Sequence, residues 1–241
     1  FTVDYFNIKV KNVIGTATFE DTIQACFDSG SATSPECALV HRAGGTGSLW
    51  LGSNGFVLLP TRNFADQALE TKGFDFQGNY SRRLGGWGTL NASFVGTLLT
   101  DESGAGVGAV GSFAGLQPAP KWRHTARLGL TMPNGLGISG RWRHFSAVTC
   151  DPEVDSGCDN VDGVLRPGNL KLSAADFFDL TLTARLAQRL NLRLGANNIF
   201  DTDPPVAGSQ VVPAGFGNGN TFPQVYDSLG RYLFAGFTVD F

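Results

Sequence analysis

The sequence predicts an all-β chain that crosses a membrane as part of an antiparallel β-barrel. Apolar and polar residues alternate with a period of two over long stretches, and the connections between those stretches are alternately short and long. No stretch approaches the roughly 18 consecutive apolar residues that a spanning helix needs. Composition agrees: Gly is 32 and Phe 19 against Met 1, a balance of turns and strand aromatics rather than helix formers. Charged residues are 16%, fewer than a soluble domain carries, and a net charge of −3 offers no basic face to nucleic acid.

The first strand runs from Phe1 to Ile14 and slips parity near Phe6–Ile8, as a bulge would cause. Phe74, Phe76 and Tyr80 alternate with Asp75, Gln77 and Asn79, then Leu90, Ala92, Phe94 and Leu98 with Thr89, Asn91, Ser93 and Thr97. Trp122, His124, Ala126, Leu128 and Leu130 oppose Lys121, Arg123, Thr125, Arg127 and Thr131. After the Pro133-Asn134-Gly135 turn, Leu136, Ile138, Gly140 and Trp142 oppose Ser139, Arg141 and Arg143. Phe178 to Leu186 and Leu190 to Ala196 repeat the pattern, and Leu233, Ala235, Phe237, Val239 and Phe241 end it. Roughly eight strands result, each about 10 residues, which spans a membrane when tilted.

Short links fall at Leu84-Gly85-Gly86, Met132–Gly135 and Gln188-Arg189, and long ones near 15–55, 101–120, 149–175 and 200–228. A barrel with tight periplasmic turns and long outer loops explains this placement, whereas a soluble sandwich has no reason to gather every long loop at one end. The apolar set then faces lipid and the polar set the lumen, because hydrocarbon forces strands to pair in a closed ring. Trp87, Trp122, Trp142, Phe178 and Phe241 sit at strand ends, where interfacial girdles form. A short helix is predicted within Thr18–Phe27, with Asp21 as the candidate start.

The cysteines form two local pairs in polar loops, without metal-ligand spacing or nearby histidines. Of the three connectivities that four cysteines allow, Cys26–Cys37 and Cys150–Cys158 are favoured, which implies an oxidising compartment. The Gly44–Gly47 and Gly104–Gly108 stretches lack the Lys and Ser/Thr of a phosphate loop and read as outer loops. Ser146, His144 and Asp151 are too weak a set to make an enzyme, and no cofactor is expected.

Several segments together resemble TonB-dependent outer-membrane receptors. Leu192 to Pro205, with Asn198-Ile199-Phe200-Asp201 at its centre, is similar to that family's penultimate strand and its following proline. Tyr226-Asp227 and Leu229-Gly230-Arg231 resemble the element leading into the last strand, and Phe241 its terminal aromatic. Asp4–Ile8 with Cys26 and Cys37, Thr71–Asp75 with Tyr80, and Pro120–Arg123 resemble earlier segments. The resemblance implies a barrel of about 22 strands filled by an N-terminal plug, of which this chain carries about the last eight strands. It implies nutrient uptake across a Gram-negative outer membrane, energised by TonB through the plug. The implied partners are the plug, the remaining strands, outer-membrane lipid and the barrel-assembly machinery. The alternative is a complete eight-stranded barrel acting as an adhesin or structural protein.

On this reading Phe237, Val239 and Phe241 form the C-terminal assembly signal. Residues 1–241 alone are expected not to insert as a closed barrel, since the last strand would lack a partner in hydrocarbon. Lumen-facing Lys121, Arg123, Arg127, Arg141, Arg143, Arg185 and Arg193 form the one electrostatic group worth testing, with Arg127 and Arg141 as neighbours on one face. Either they line the wall that docks the plug or they mark a path for anionic substrate. Asp75, Asp179, Asp240 or plug carboxylates are the anions expected to answer them.

Overall fold

The computed structural model describes residues 1–49, 55–104, 109–113, 118–150, 158, 171–186, 189–208 and 220–239, without the side chains of 62 and 64–67. Asp151, Asp240, Phe241, Gln188 and most of Gly104–Gly108 lie outside these residues. The chain divides into two compact units, Phe1–Lys9 with Glu70–Phe241, and Val10–Leu69.

Eight strands form one antiparallel sheet: β1 (Thr2–Thr16), β4 (Thr61–Arg83), β5 (Thr89–Ser103), β7 (Trp122–Thr131), β8 (Leu136–Phe145), β11 (Ala175–Leu186), β12 (Leu190–Asn197) and β13 (Tyr232–Val239). Each strand lies beside its neighbour in this series, with β1 and β13 at the two edges. Tight turns join β4 to β5 and β7 to β8, and the β11–β12 pairing reaches Leu186 opposite Leu190. The first turn needs Gly88, whose φ of 111° and position against the Thr131 carbonyl exclude a side chain.

The long connections hold the minor strands β2 (Val40–His41), β3 (Phe56–Val57), β6 (Ser112–Phe113), β9 (Val148–Cys150) and β10 (Lys171–Leu172). β1 runs unbroken through Phe6–Ile8, and its left-handed residue is Asn12, φ 57°. A register shift does occur, but between β4 and β5 at Lys72/Gly73. Both of these strands run farther toward the long-connection end than their alternation predicts.

Directly opposed residues share a face, so the registers define rows across the sheet. One apolar row is Gly78, Phe94, Ala126, Trp142 and Phe178, and the next is Tyr80, Ala92, Leu128, Gly140, Leu180, Ala196 and Leu233. A third is Leu90, Leu130, Ile138, Leu182, Leu194 and Ala235. The opposite face carries Asn79, Ser93, Arg127, Arg141 and Asp179 in one row, and Ser81, Asn91, Gly129, Ser139 and Thr181 in another.

The apolar face is bare. Leu128 is 57% exposed, Leu182 45%, Leu194 42% and Phe237 76%. A soluble sandwich buries such a face in its core. From Asp176 to Leu186, β11 advances roughly 33 Å at about 3.3 Å per residue, or roughly 25 Å once tilted, the height of a barrel's apolar band.

Burial is concentrated instead at the long-connection end. Phe113, Val148, Cys158, Leu172, Ala175, Phe177, Ala207, Phe222 and Tyr226 form one cluster there. Its frame is a small sheet in which β9 pairs β10 antiparallel and β6 parallel. Cys150–Cys158 ties that frame, with Cys158 1% exposed.

In the other unit, α1 (Phe19–Asp28) is capped by Thr18, whose hydroxyl accepts the Asp21 N–H at 3.1 Å. The cap therefore lies three residues before Asp21, as a helix start prefers a Ser/Thr hydroxyl over its own third residue's N–H. Cys26–Cys37 ties α1 to the segment after it. Non-reducing peptide mapping should recover both bridges; free thiols at all four positions would contradict this arrangement.

Candidate functional site

The polar face carries a cluster of charges centred on Asp179, which is 6% exposed. β8 places Arg141 directly opposite it and Arg143 one alternation farther along on the same face. Arg141 Nε donates to Asp179 Oδ2 at 2.5 Å. Arg143 donates from Nε to Oδ2 at 3.1 Å and from Nη2 to Oδ1 at 3.0 Å, the two-point geometry that a planar guanidinium offers a carboxylate. The Asn198 backbone N–H adds a fourth donor at 2.9 Å. Asp179 is thus surrounded by donors, which is what permits a carboxylate to stay buried.

Arg143 also reaches Asp227 Oδ2 at 2.8 Å, across 84 positions of sequence, and its guanidinium lies 5.2 Å from the centre of the Phe177 ring. Asp227 follows Tyr226, which packs edge-on against Phe145 at 5.8 Å. The segment before β13 is therefore held to the sheet by an ion pair and an aromatic contact side by side. Arg141 and Arg143 are thus answered by Asp179 and Asp227.

The Tyr226 hydroxyl is buried without a hydrogen-bond partner among the described residues, and burial pushes its pKa up to about 12. Because the folded value exceeds the ordinary value of about 10, the phenol's contribution to stability is complete below about pH 10 and is lost as pH rises toward 12. In the full-length protein, the phenolate absorbance difference between wild type and Tyr226→Phe should appear only near pH 12; its appearance near pH 10 would contradict this burial.

Of the seven basic residues singled out by sequence, the structure gathers Arg127, Arg141 and Arg143. Arg127 stands directly opposite Arg141, and among the described residues it has no hydrogen-bond or ion-pair partner. Arg123 lies four positions farther along β7, beside Thr97 and Phe145. Lys121 precedes the strand. Arg185 faces Asn191 near the short-turn end, and Arg193 lies over the Phe234 ring at 5.1 Å. Among the proposed counter-charges, Asp179 binds arginine, whereas Asp75 accepts the Thr97 hydroxyl at 2.7 Å.

Sequence reasoning did not single out Asp227 as a counter-ion, and its pairing spans too much chain for local spacing to reveal. It also overlooked Asp176, although the alternation marks it as a carboxylate among apolar-face residues.

On that apolar face, Trp122, His124, Trp142, His144 and Phe178 form a continuous set of ring contacts. Trp122 Nε1–H donates to His124 Nδ1 at 2.9 Å, so the neutral His124 ring carries its proton on Nε2. That atom is buried without a hydrogen-bond partner among the described residues, and the ring meets Trp142 edge to face at 4.4 Å. His144 Nδ1 pairs with Asp176 Oδ1 at 2.8 Å, and Ser146 Oγ accepts the Trp122 N–H at 3.1 Å. His144 and Ser146 are thus engaged separately. Trp87 is exposed at a short turn, and Phe237 and Val239 are exposed on the apolar face. Among the described residues, no group of three His, Cys, Asp or Glu side chains is placed to hold a metal.

A family model described as TonB dependent receptor-like, beta-barrel matches residues 1–199. No curated protein matches. The G324V mutant of the ferric enterobactin receptor PfeA from Pseudomonas aeruginosa is a similar solved structure, at 17% identity and a TM-score of 0.56 over 99% of this chain and 28% of that one. The siderophore receptor PirA from Acinetobacter baumannii gives 12% and 0.57, over 99% and 29%. The FrpB iron transporter from Neisseria meningitidis (F3-3 variant) gives 14% and 0.52, over 98% and 28%. The chain thus spans between a quarter and a third of the length of these relatives.

Proposed function

Because the chain belongs to the TonB-dependent receptor-like β-barrel family, we propose that it is a section of barrel wall in a receptor that imports a scarce nutrient across the outer membrane of a Gram-negative bacterium. The family is one of outer-membrane transporters, and energy would come from TonB through an N-terminal plug. The observation that carries this reading is the sheet with one bare apolar face and one polar face, its long connections gathered at one end. The apolar face suits hydrocarbon and the polar face a plugged lumen. With β1 and β13 at the sheet edges, further strands of the same receptor would close the ring, which favours a section of a large barrel over a complete eight-stranded one. The barrel-assembly machinery would read the strand in which Phe237 and Val239 alternate on the apolar face.

The charge pairing changes the role assigned to the basic residues. Arg141 and Arg143 hold the wall and the segment before β13 together through Asp179 and Asp227, so replacing them tests structure before it tests transport. Of the three arginines gathered there, Arg127 is the one without a partner among the described residues, and it is left to meet a plug carboxylate or an anionic solute.

The names of the structural relatives make ferric siderophores the first solute class to test. In cells, uptake of ⁵⁵Fe-siderophore should fall to background both on deleting the full-length receptor gene and on deleting tonB. Loss in the first strain alone would overturn TonB coupling, and unchanged uptake of iron, cobalamin and oligosaccharide in both strains would overturn the transport reading. Arg127→Gln should weaken uptake of anionic solutes more than neutral ones if Arg127 meets the solute, and weaken both alike if it docks the plug.

A further inference from the structure

The apolar face is not a uniform hydrocarbon contact, because it holds a groove of about 680 Å³. Its floor is Gly78, Ala92, Ala126 and Gly140, four small residues in adjoining rows. Phe94, Trp142 and Phe178 rise on one side, Tyr80 and Leu128 on the other, and the Phe1 ring lies over Gly78.

The row beyond the aromatic side, toward the long connections, is polar: His124, His144 and Asp176 stand directly opposite one another. Asp176 Oδ1 receives the Trp142 Nε1–H at 2.6 Å and faces His144 Nδ1 at 2.8 Å. Oδ2 has no partner among the described residues, and the side chain is 43% exposed.

We infer that this groove, with the Asp176–His144 pair at its end, is a glycolipid site, an acyl chain lying on the small-residue floor and a sugar ring at the polar row. The inference rests on the outer-membrane reading above. A carboxylate on a lipid-facing surface is costly in hydrocarbon, so its row belongs at headgroup level and the groove below it at acyl-chain level.

The polar row selects the head by charge and by hydrogen bonding. Arg127 and Arg141 also border the groove, but alternation puts their side chains on the polar face, and no Lys or Arg shares the apolar face in this row or in the two groove rows from β4 through β11, so a phosphate head would meet a carboxylate on that face and no Lys or Arg. With His144 Nδ1–H donated to Asp176, the acceptors left are Asp176 Oδ2 and His144 Nε2, a pair suited to two neighbouring hydroxyls. Trp142 and Phe178 are stacked at 5.9 Å with 6° between their planes and are 39% and 37% exposed, so their outer edges stay open beside the polar row.

The test is native mass spectrometry of the full-length receptor from a detergent without sugar, tetraethylene glycol monooctyl ether. Monoglucosyldiacylglycerol, phosphatidylethanolamine and phosphatidylglycerol are added at equal concentration. One equivalent of the glucosyl lipid should bind in about tenfold preference. Gly140→Leu should lower total binding about tenfold by filling the floor; a Cβ there meets only the Asp179 carbonyl oxygen, at 4.0 Å, so the fold has room for it. Asp176→Ala should retain binding but lose the preference for sugar. Equal retention of all three lipids, an unchanged preference in Asp176→Ala, or preference for the ethanolamine lipid would each overturn the glycolipid assignment. Fractionation of the same wild-type and variant cells separates the two readings, since absence of the wild-type receptor from the outer membrane would instead contradict the proposed function.

Discussion

Asp179→Ala in the full-length receptor should lower stability by about 3–5 kcal/mol, the scale on which removing one partner leaves buried charge uncompensated. The substitution deletes the acceptor of Arg141, both bonds from Arg143 and the bond from the Asn198 N–H. It also leaves Arg127, Arg141 and Arg143 close together with Asp227 as the remaining carboxylate of the cluster. Asp75→Ala is the internal comparison, because Asp75 accepts one hydroxyl and its loss should cost about 1 kcal/mol or less. Urea unfolding of the purified receptor, followed by heat-modifiable mobility, reads both. Equal midpoints for the two variants would show that the Asp179 cluster does not hold the wall.

The second large effect belongs to the opposite face. Leu182→Arg should cost about 2–4 kcal/mol and reduce the amount assembled in the outer membrane, as a cation at mid-depth on the lipid side of a barrel does. Leu182 lies between Ile138 and Leu194 and is 45% exposed. If water covered that face, replacing a half-exposed leucine would change stability by about 0.5 kcal/mol or less. Thr181→Arg, one residue away on the polar face, should assemble normally.

These contrasts follow from a feature legible in the sequence. Hydrocarbon on one side and a polar interior on the other force a period of two, so the alternation from Trp122 onward marks the two faces of β7, β8, β11, β12 and β13 almost residue by residue, whereas of the registers it points only to the Arg127–Arg141 pair. Alternation understates β4 and β5, which extend to Thr61 and Ser103. Beyond the apolar band, hydrogen bonding can extend a strand without either face demanding one residue type.

The cluster at the long-connection end was not legible, because Phe113, Val148, Leu172, Phe222 and Tyr226 are scattered among Gly, Pro and polar residues and converge only when distant connections meet. The charge site was half legible: parity put Arg127, Arg141 and Asp179 on one face, but not Asp227 against Arg143. Asp176 shows the opposite failure, since parity places it on the apolar face and its significance emerges only beside His144 and Trp142.

The most direct test of the wall assignment is a spin-label accessibility scan along β11, in the full-length receptor reconstituted in bilayers. Single labels at Phe178, Leu180, Leu182, Ala184 and Leu186 should be relaxed strongly by oxygen and weakly by a water-soluble nickel chelate. Labels at Thr181, Thr183 and Arg185 should show the reverse balance. A scan without alternation, or one in which the even positions are shielded from both reagents, would contradict the assignment of that face to lipid.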